Sequence, residues 1–247
     1  MITPNLIQNR IKNFWGYGNL ESPIWIVGME EGFHSIDAVS DRKMLERQFS
    51  LPIVNGMFDA SRPIDIDIRD LTNLSPFLPN AKIQPTWKFI IALSIFLCEG
   101  REPCKEEILD FQRSILADGK KNEVATIELM PLPSPDTSSW LFGYIAGFET
   151  RESYLRTYKK HRTQGLKDLV KKYSPKVVIF YSMNYFSDWV EVIGEVPEKI
   201  TDQMYFVKIE KTSFCIIPQG TAFGMSYKRV YEYAEKIKDR MQNQNFL

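Results

Sequence analysis

The sequence has few of the residues that build metal centres and disulfide scaffolds. Its imidazoles are limited to His34 and His161, and its three cysteines, Cys98, Cys104 and Cys215, form no C-x-x-C pair. A structural zinc site needs closely spaced Cys and His ligands, and a disulfide scaffold needs a dense set of paired cysteines. We therefore predict no metal, and no motif calls for an organic cofactor.

Long apolar runs and an excess of charge of one sign are also missing. No apolar run reaches the roughly 18 residues that a membrane span requires, and the opening residues lack the basic-then-apolar order of a secretory signal. Basic and acidic residues number 31 each, so the formal net charge is zero. We expect a cytoplasmic protein without a membrane partner, in which any contact with a polyanion such as DNA depends on a local basic patch.

The sequence does contain enough apolar material for a sizeable core. Apolar residues make up 44% of its 247 positions, and there is no internal repeat or low-complexity linker. We predict a single domain over residues 1–247, with an oligomeric state that the sequence does not fix.

Short apolar segments alternate with helical ones along the chain. Three of them, from Ile24 to Val27, from Val124 to Met130 and from Val177 to Tyr181, are apolar on both faces. A hairpin, from Met204 to Ile209 and from Ser213 to Ile217, follows them. Strands that are buried on both faces and separated by helices are typical of a parallel sheet. We predict an α/β fold of three α/β/α layers around a central, mainly parallel sheet of about four strands.

Helical segments are predicted from Thr86 to Cys98, Pro103 to Leu116, Arg151 to Lys172, Asp188 to Ile193 and Tyr227 to Met241. In open α/β sheets, ligands bind beyond the carboxyl ends of the strands. The segments that follow the predicted strands are therefore expected to share one crevice.

The first such segment carries two adjacent carboxylates, Glu30 and Glu31, between two glycines. Glycines let the backbone turn and approach a ligand, and a carboxylate near a low-dielectric pocket can act as a base or an electrostatic stabiliser. The alternative is the start of a helix, where acidic residues complement the dipole. We predict Glu30 and Glu31 as catalytic residues, with substrate contacts at Gly28, Met29, Gly32, Phe33 and His34.

The segments after the second and third strands supply further candidates. Glu128 lies near the end of its strand, where a carboxylate accepts a hydrogen bond from a ligand or pairs with a structural arginine. Small polar residues after an apolar strand form either a site or a turn. We predict substrate contacts at Glu128, Pro131, Ser182 and Asn184.

Two regions favour contact with DNA. The helical segment from Arg151 to Lys172 is strongly basic and suits phosphate binding, although such a charge run is more often a solvated face. The loop after the hairpin mixes glycine, hydroxyl and apolar residues, which suits insertion into a base stack. The predicted DNA contacts are Lys159, Lys160, Arg162, Gln219, Gly220, Thr221, Phe223, Met225, Ser226 and Lys228.

The order of elements and these segments resemble the uracil-DNA glycosylase superfamily, from about Trp25 to Lys236. In that family, a strand ends in a glycine-led motif that holds the water-activating residue, a position that matches Glu30. A middle strand ends in the residue that reads the flipped base, here Glu128. The last strand of the family leads into a histidine-proline-serine motif, where this chain has Ile217-Pro218-Gln219.

The resemblance implies a DNA glycosylase that hydrolyses the N-glycosidic bond of a flipped non-standard or modified base, in base-excision repair or in defence against modified viral DNA. Ile217 replaces the histidine that would stabilise the departing base anion, and Glu128 replaces an amide. An ionised Glu128 would favour an amino-bearing base over uracil. Two other functions stay open: a non-catalytic DNA-binding or partner-binding module, and a nucleoside or nucleotide hydrolase.

Overall fold

The computed structural model describes residues 2–33, 82–116 and 123–243, together with residues 43, 45, 46, 49 and 50. His34, a predicted substrate contact, lies outside them. Within this part of the chain, the α-helices are α1 (Pro4–Asn13), α2 (Trp87–Glu99), α3 (Lys105–Ser114), α4 (Arg151–Tyr173), α5 (Phe186–Ile193) and α6 (Tyr227–Asn243). The strands are β1 (Gly16–Tyr17), β2 (Ile24–Gly32), β3 (Val124–Ser134), β4 (Val177–Tyr181), β5 (Glu198–Thr201), β6 (Met204–Ile209) and β7 (Thr212–Ile217). The predicted α/β class is confirmed, and no helix in the described ranges combines the length and apolarity needed to cross a membrane.

The strands form one mixed sheet in the order β1-β3-β2-β4-β7-β6-β5. Its four central strands, β3, β2, β4 and β7, are parallel to their neighbours, whereas β1, β5 and β6 pair in antiparallel fashion at the two sides. The described sheet is larger than the predicted one, chiefly because β1 and β5 were not predicted. β1 has two residues and the first two residues of β5 are exposed, so neither produces an apolar run.

Helices cover both faces of the sheet. Side chains of α1, α4 and α5 pack with Trp25 and Val27 of β2, while those of α2, α3 and α6 pack with Ile24 and Ile26. Successive side chains of a strand point to opposite faces, so a strand between two helical layers is apolar at every position. This burial explains the continuous apolar run from which β2 was predicted.

Strands β2 and β3 are longer than predicted, so the glycine-flanked carboxylates lie in a strand and not in a turn. Their pairing runs through Gly28 with Glu128 and Glu30 with Met130, and then shifts before Gly32 pairs with Ser134. Residues 131–133 of β3 lie within this shift, opposite a single residue of β2. A bulge tolerates proline because a ladder hydrogen bond is already missing there. The acidic side chains are therefore held by an extended sheet edge.

Candidate functional site

Three carboxylates lie at the carboxyl edge, which we define as the part of the sheet from the level of the β4 and β7 ends onwards, including the segments of β2 and β3 that extend beyond them. Glu30 and Glu31 come from β2, and Glu128 comes from the neighbouring strand β3, where it pairs in register with Gly28. The structure thus brings together acidic residues that the sequence placed in two separate segments. Each carboxylate has a different set of partners, and the partners decide what each one can do.

Glu30 is held through one of its two oxygens. Arg151, the first residue of α4, donates to Glu30 Oε1 from Nη2 at 2.7 Å and from Nε at 3.2 Å. Glu30 Oε2 is buried and has no hydrogen-bond partner among the described residues. Burial raises the pKa of Glu30, although the hydrogen bonds and charge of Arg151 oppose the rise. The carboxylate is therefore fixed in orientation, with one oxygen left for a further donor.

Both oxygens of Glu31 are engaged. The Tyr17 hydroxyl donates to Oε1 at 2.7 Å, and Arg10 Nη2 donates to Oε2 at 3.1 Å. Arg10 also donates from Nε to the carbonyl oxygen of Pro131 at 2.8 Å. Glu31 and Pro131 thus tie α1 and β1 to the carboxyl edge, and Glu30 is the carboxylate of β2 that keeps an oxygen without a partner among the described residues. Pro131 is buried, and the bulge carbonyl it supplies is structural, which corrects its prediction as a substrate contact.

Glu128 differs from both, because its carboxyl group forms no ion pair within the described residues. The residue is only 8% exposed, and Oε2 is buried without a hydrogen-bond partner in this part of the chain. Burial, followed by the charges of Glu31 and Glu30, raises the pKa of Glu128 well above its usual value, and Arg10 opposes this only in part. The protonated form is favoured, in contrast to the ionised form assumed from the sequence.

Tyr181, the last residue of β4, completes this part of the site and was not predicted. A Cβ atom added at Gly28 would collide with the Tyr181 hydroxyl and would lie 2.7 Å from Glu128 Oε2. Only glycine therefore lets the two oxygen atoms approach this point. Burial, followed by the charges of Glu128 and Glu31, raises the pKa of Tyr181, so its hydroxyl keeps its proton. A polar aromatic residue that closes an apolar strand was the available signal in the sequence.

The remaining predicted substrate contacts have mixed environments. Met29 is 6% exposed and packs in the core, which contradicts its assignment to a ligand. The half-buried Phe33 donates its backbone N–H to Ser134. Ser182 is buried, and its carbonyl oxygen accepts from Trp189 Nε1 of α5 at 2.9 Å. Gly32 and Asn184 are exposed.

Arg162 is not a phosphate contact, which corrects the prediction for the basic helix. The residue is 1% exposed, and it donates to the carbonyl oxygens of Leu129 at 2.8 Å, Glu128 at 3.0 Å and Ile11 at 3.1 Å. Its guanidinium also lies 3.4 Å from the ring centroid of Trp15. Burial lowers the pKa of Arg162 to about 9. The side chain fastens α4 to β3 and α1.

The other predicted cations of α4 lie near its surface. Lys159 pairs with Asp188 of α5 at 2.6 Å, so its charge is matched. Lys160 is exposed and lines an open cavity of about 450 Å³, together with Lys167 and Glu191. Lys160 keeps its place as a predicted DNA contact.

The loop after β7 presents one large apolar side chain to solvent. Phe223 is fully exposed, whereas Met225 packs partly against the core. Gly220 is buried, and a Cβ there would lie 2.8 Å from the backbone oxygen of the residue before α2. The Ser226 hydroxyl accepts a backbone N–H at the start of α6, at 3.3 Å. Three other predicted contacts are exposed: Gln219, Thr221 and Lys228.

Comparison of this chain with protein-family models and with curated protein sequences finds no match. Among the described residues, no three His, Cys, Asp or Glu side chains lie close enough together to hold a metal ion. The chemistry of the carboxyl edge is therefore the basis for assigning a function.

Proposed function

We propose that the protein is a DNA glycosylase-like hydrolase that cleaves the N-glycosidic bond of a flipped non-standard base. The supporting observation is the carboxylate of Glu30, which Arg151 fixes through Oε1 and whose buried Oε2 has no partner among the described residues. A uracil-DNA glycosylase-like fold and DNA as the partner belong to the same proposal.

The geometry of Glu30 suits the demands of this reaction. Breaking an N-glycosidic bond develops positive charge on the sugar and negative charge on the base, so a nearby carboxylate lowers the barrier and orients the attacking water. Glu30 Oε2 would accept from that water, while the hydrogen bonds and charge of Arg151 oppose the rise in the Glu30 pKa that burial causes. The water oxygen then bonds to C1′ of the sugar, and its proton passes to Glu30.

Access to a base in duplex DNA requires that the base leave the stack and that another group take its place. Phe223 is a suitable group, because it is fully exposed on the loop that follows β7 at the carboxyl edge. Two exposed cations, Lys160 of α4 and Lys228 of α6, are available to phosphates. An exposed aromatic side chain on the loop after β7, together with exposed cations, supports DNA, rather than a free nucleoside, as the substrate.

The test is release of free base from duplex and single-stranded DNAs that carry uracil, mismatches or modified cytosines. We expect at least one base to be released, and Glu30→Gln to slow that release by about 10² or more, the scale of a lost acid/base group. Glu232→Gln on the exposed side of α6 is the matched control and should leave the rate unchanged. Tight DNA binding without any base release would instead favour the non-catalytic module, and hydrolysis confined to free nucleosides would favour the nucleoside hydrolase.

A further inference from the structure

We propose that Glu128 and Tyr181 form a two-donor oxyanion site that stabilises negative charge on a carbonyl oxygen of the departing base. This inference rests on the proposed function and specifies its substrate class as a keto base. The β4–β7 register pairs Tyr181 directly with Ile217, so Tyr181 lies where these two strands end.

The two donors converge because Gly28 separates them without a side chain. The registers place Gly28 opposite Glu128 on one side, and pair its neighbour Val27 with Phe180, the residue before Tyr181, on the other. The point that a Cβ of Gly28 would occupy lies 2.7 Å from Glu128 Oε2 and in collision with the Tyr181 hydroxyl. Both oxygens therefore lie close to the same side of Gly28.

The charges around Glu128 favour its role as a donor. Glu30 and Glu31 approach it from β2, Tyr181 from β4 and Arg10 from α1. Of these groups, Arg10 alone favours a carboxylate at Glu128, and Arg10 is hydrogen-bonded to Glu31 and to a backbone carbonyl. A neutral carboxyl group retains an O–H that can donate. Its Oε2, which has no partner among the described residues, gains one when a ligand oxygen arrives.

A tyrosine and a neutral carboxylic acid in an apolar setting form an effective oxyanion site. When the C1′–N bond breaks, both electrons leave with the base, and negative charge spreads onto its carbonyl oxygen. The two O–H groups donate to that oxygen, water bonds to C1′, and the water proton moves through Glu30 to the released base. An amino group offers N–H donors at this place and cannot accept from two hydroxyls, so the preference is opposite to the one expected from an ionised Glu128.

The first test measures binding without catalysis. The probe is 5-nitrouracil, an acidic keto pyrimidine that is an anion at neutral pH, with neutral cytosine as the comparison. Tyr181→Phe should weaken binding of the anion at least tenfold and change cytosine binding less than twofold. Tyr205→Phe, a half-buried tyrosine of β6 that packs against Phe186, is the matched control and should leave both affinities unchanged. Equal anion affinity in Tyr181→Phe and the unchanged protein, or no anion binding at all, would overturn the oxyanion site.

The second test measures turnover on a base that the protein releases from DNA. Tyr181→Phe should lower kcat by about 10²-fold, the effect of losing one oxyanion donor, with little change in KM. The loss should be larger for a 5-methyl than for a 5-fluoro keto pyrimidine, because the poorer leaving group carries more charge. Glu128→Gln keeps an N–H donor and should stay within tenfold of the unchanged protein.

The two proposals fail in different ways. Base release that is insensitive to Tyr181→Phe overturns the oxyanion site and leaves the glycosylase standing. Binding of the anion that depends on Tyr181, without base release from any DNA, supports the oxyanion site and overturns the glycosylase.

Discussion

The carboxyl edge and the exposed side of α4 are both rich in charge, but they handle that charge differently. At the carboxyl edge, Glu30 is held by an arginine and Glu128 has no cation partner among the described residues, and burial raises the pKa of both. On the exposed side of α4, Lys160 lies in solvent. The same helix contributes to both regions, since its Arg151 and Arg162 reach inwards. Burial, rather than the number of charges, separates the two regions.

The energetic consequence of this difference is large. Solvent-exposed ion pairs contribute about 0–1 kcal/mol, whereas removal of one member of a buried pair costs about 3–5 kcal/mol because the other is left uncompensated. Substitutions that look equivalent along α4 should therefore have very different effects.

The largest effect is expected at Arg162. Arg162→Met removes the donors to three backbone carbonyls and should lower the free energy of unfolding by about 3 kcal/mol or more, because buried acceptors are left unmatched. Lys160→Met, on the exposed side of the same helix, should stay within about 0.5 kcal/mol. Urea unfolding of the two variants measures the contrast. Equal losses at the two positions would show that burial does not separate the two regions.

Glu128→Gln should have the opposite effect on the free energy of unfolding. Relative to the unchanged protein, the variant should become more stable as the pH rises. The pKa of Glu128 is raised in the folded state, so its stabilising protonation is fully present below the ordinary glutamate pKa. Above that pKa, the unfolded chain loses the proton first, and folding stability falls by about 1.4 kcal/mol per pH unit until the folded-state pKa is reached. The glutamine of the variant does not titrate, so the variant does not lose stability in this way.

Urea unfolding at pH 5 and pH 8 tests the prediction for Glu128. The stability difference between Glu128→Gln and the unchanged protein should grow with pH, while Glu232→Gln on the surface of α6 should show no such growth. A stability difference that is the same at pH 5 and at pH 8 would mean that the Glu128 carboxyl group has an ordinary pKa in the folded protein.

Arg151→Gln should make Glu30 resemble Glu128. Without the cation, the pKa of Glu30 rises further, so the carboxylate that we propose as the water-orienting group forms only at higher pH. On the acid limb of the pH–rate profile, base release should fall about tenfold, because the limb should move up by about one pH unit. The exposed Arg156→Gln is the control on the same helix. An unmoved acid limb in Arg151→Gln would argue against Glu30 as the base.

The sequence predicted the elements better than it predicted the partners. Apolar runs predicted the strands β2, β3 and β4, and a charged segment bounded by prolines predicted the helix α4. Both are local signals. The short strands β1 and β5 carry no such signal. Arg151, Arg162 and Tyr181 owe their roles to contacts between distant segments; Arg151 and Glu30, for example, are 121 positions apart. Such contacts depend on side-chain direction in the assembled sheet, which periodicity does not encode.

The smallest effect on stability, and a clear one on binding, is expected from the exposed side of α4. Changing both Lys160 and Lys167 to alanine should leave the free energy of unfolding within about 0.5 kcal/mol for each position. If these lysines contact phosphates, DNA affinity should fall equally for all sequences, and the slope of log affinity against log salt should flatten by about 1.8, since each contact releases counterions. Alanine at Lys211 and Lys236, which are exposed on β-hairpin and α6 surfaces, is the matched control. An unchanged slope in the α4 variant would leave DNA binding to the loop that carries Phe223, and the exposed side of α4 would be a solvated face.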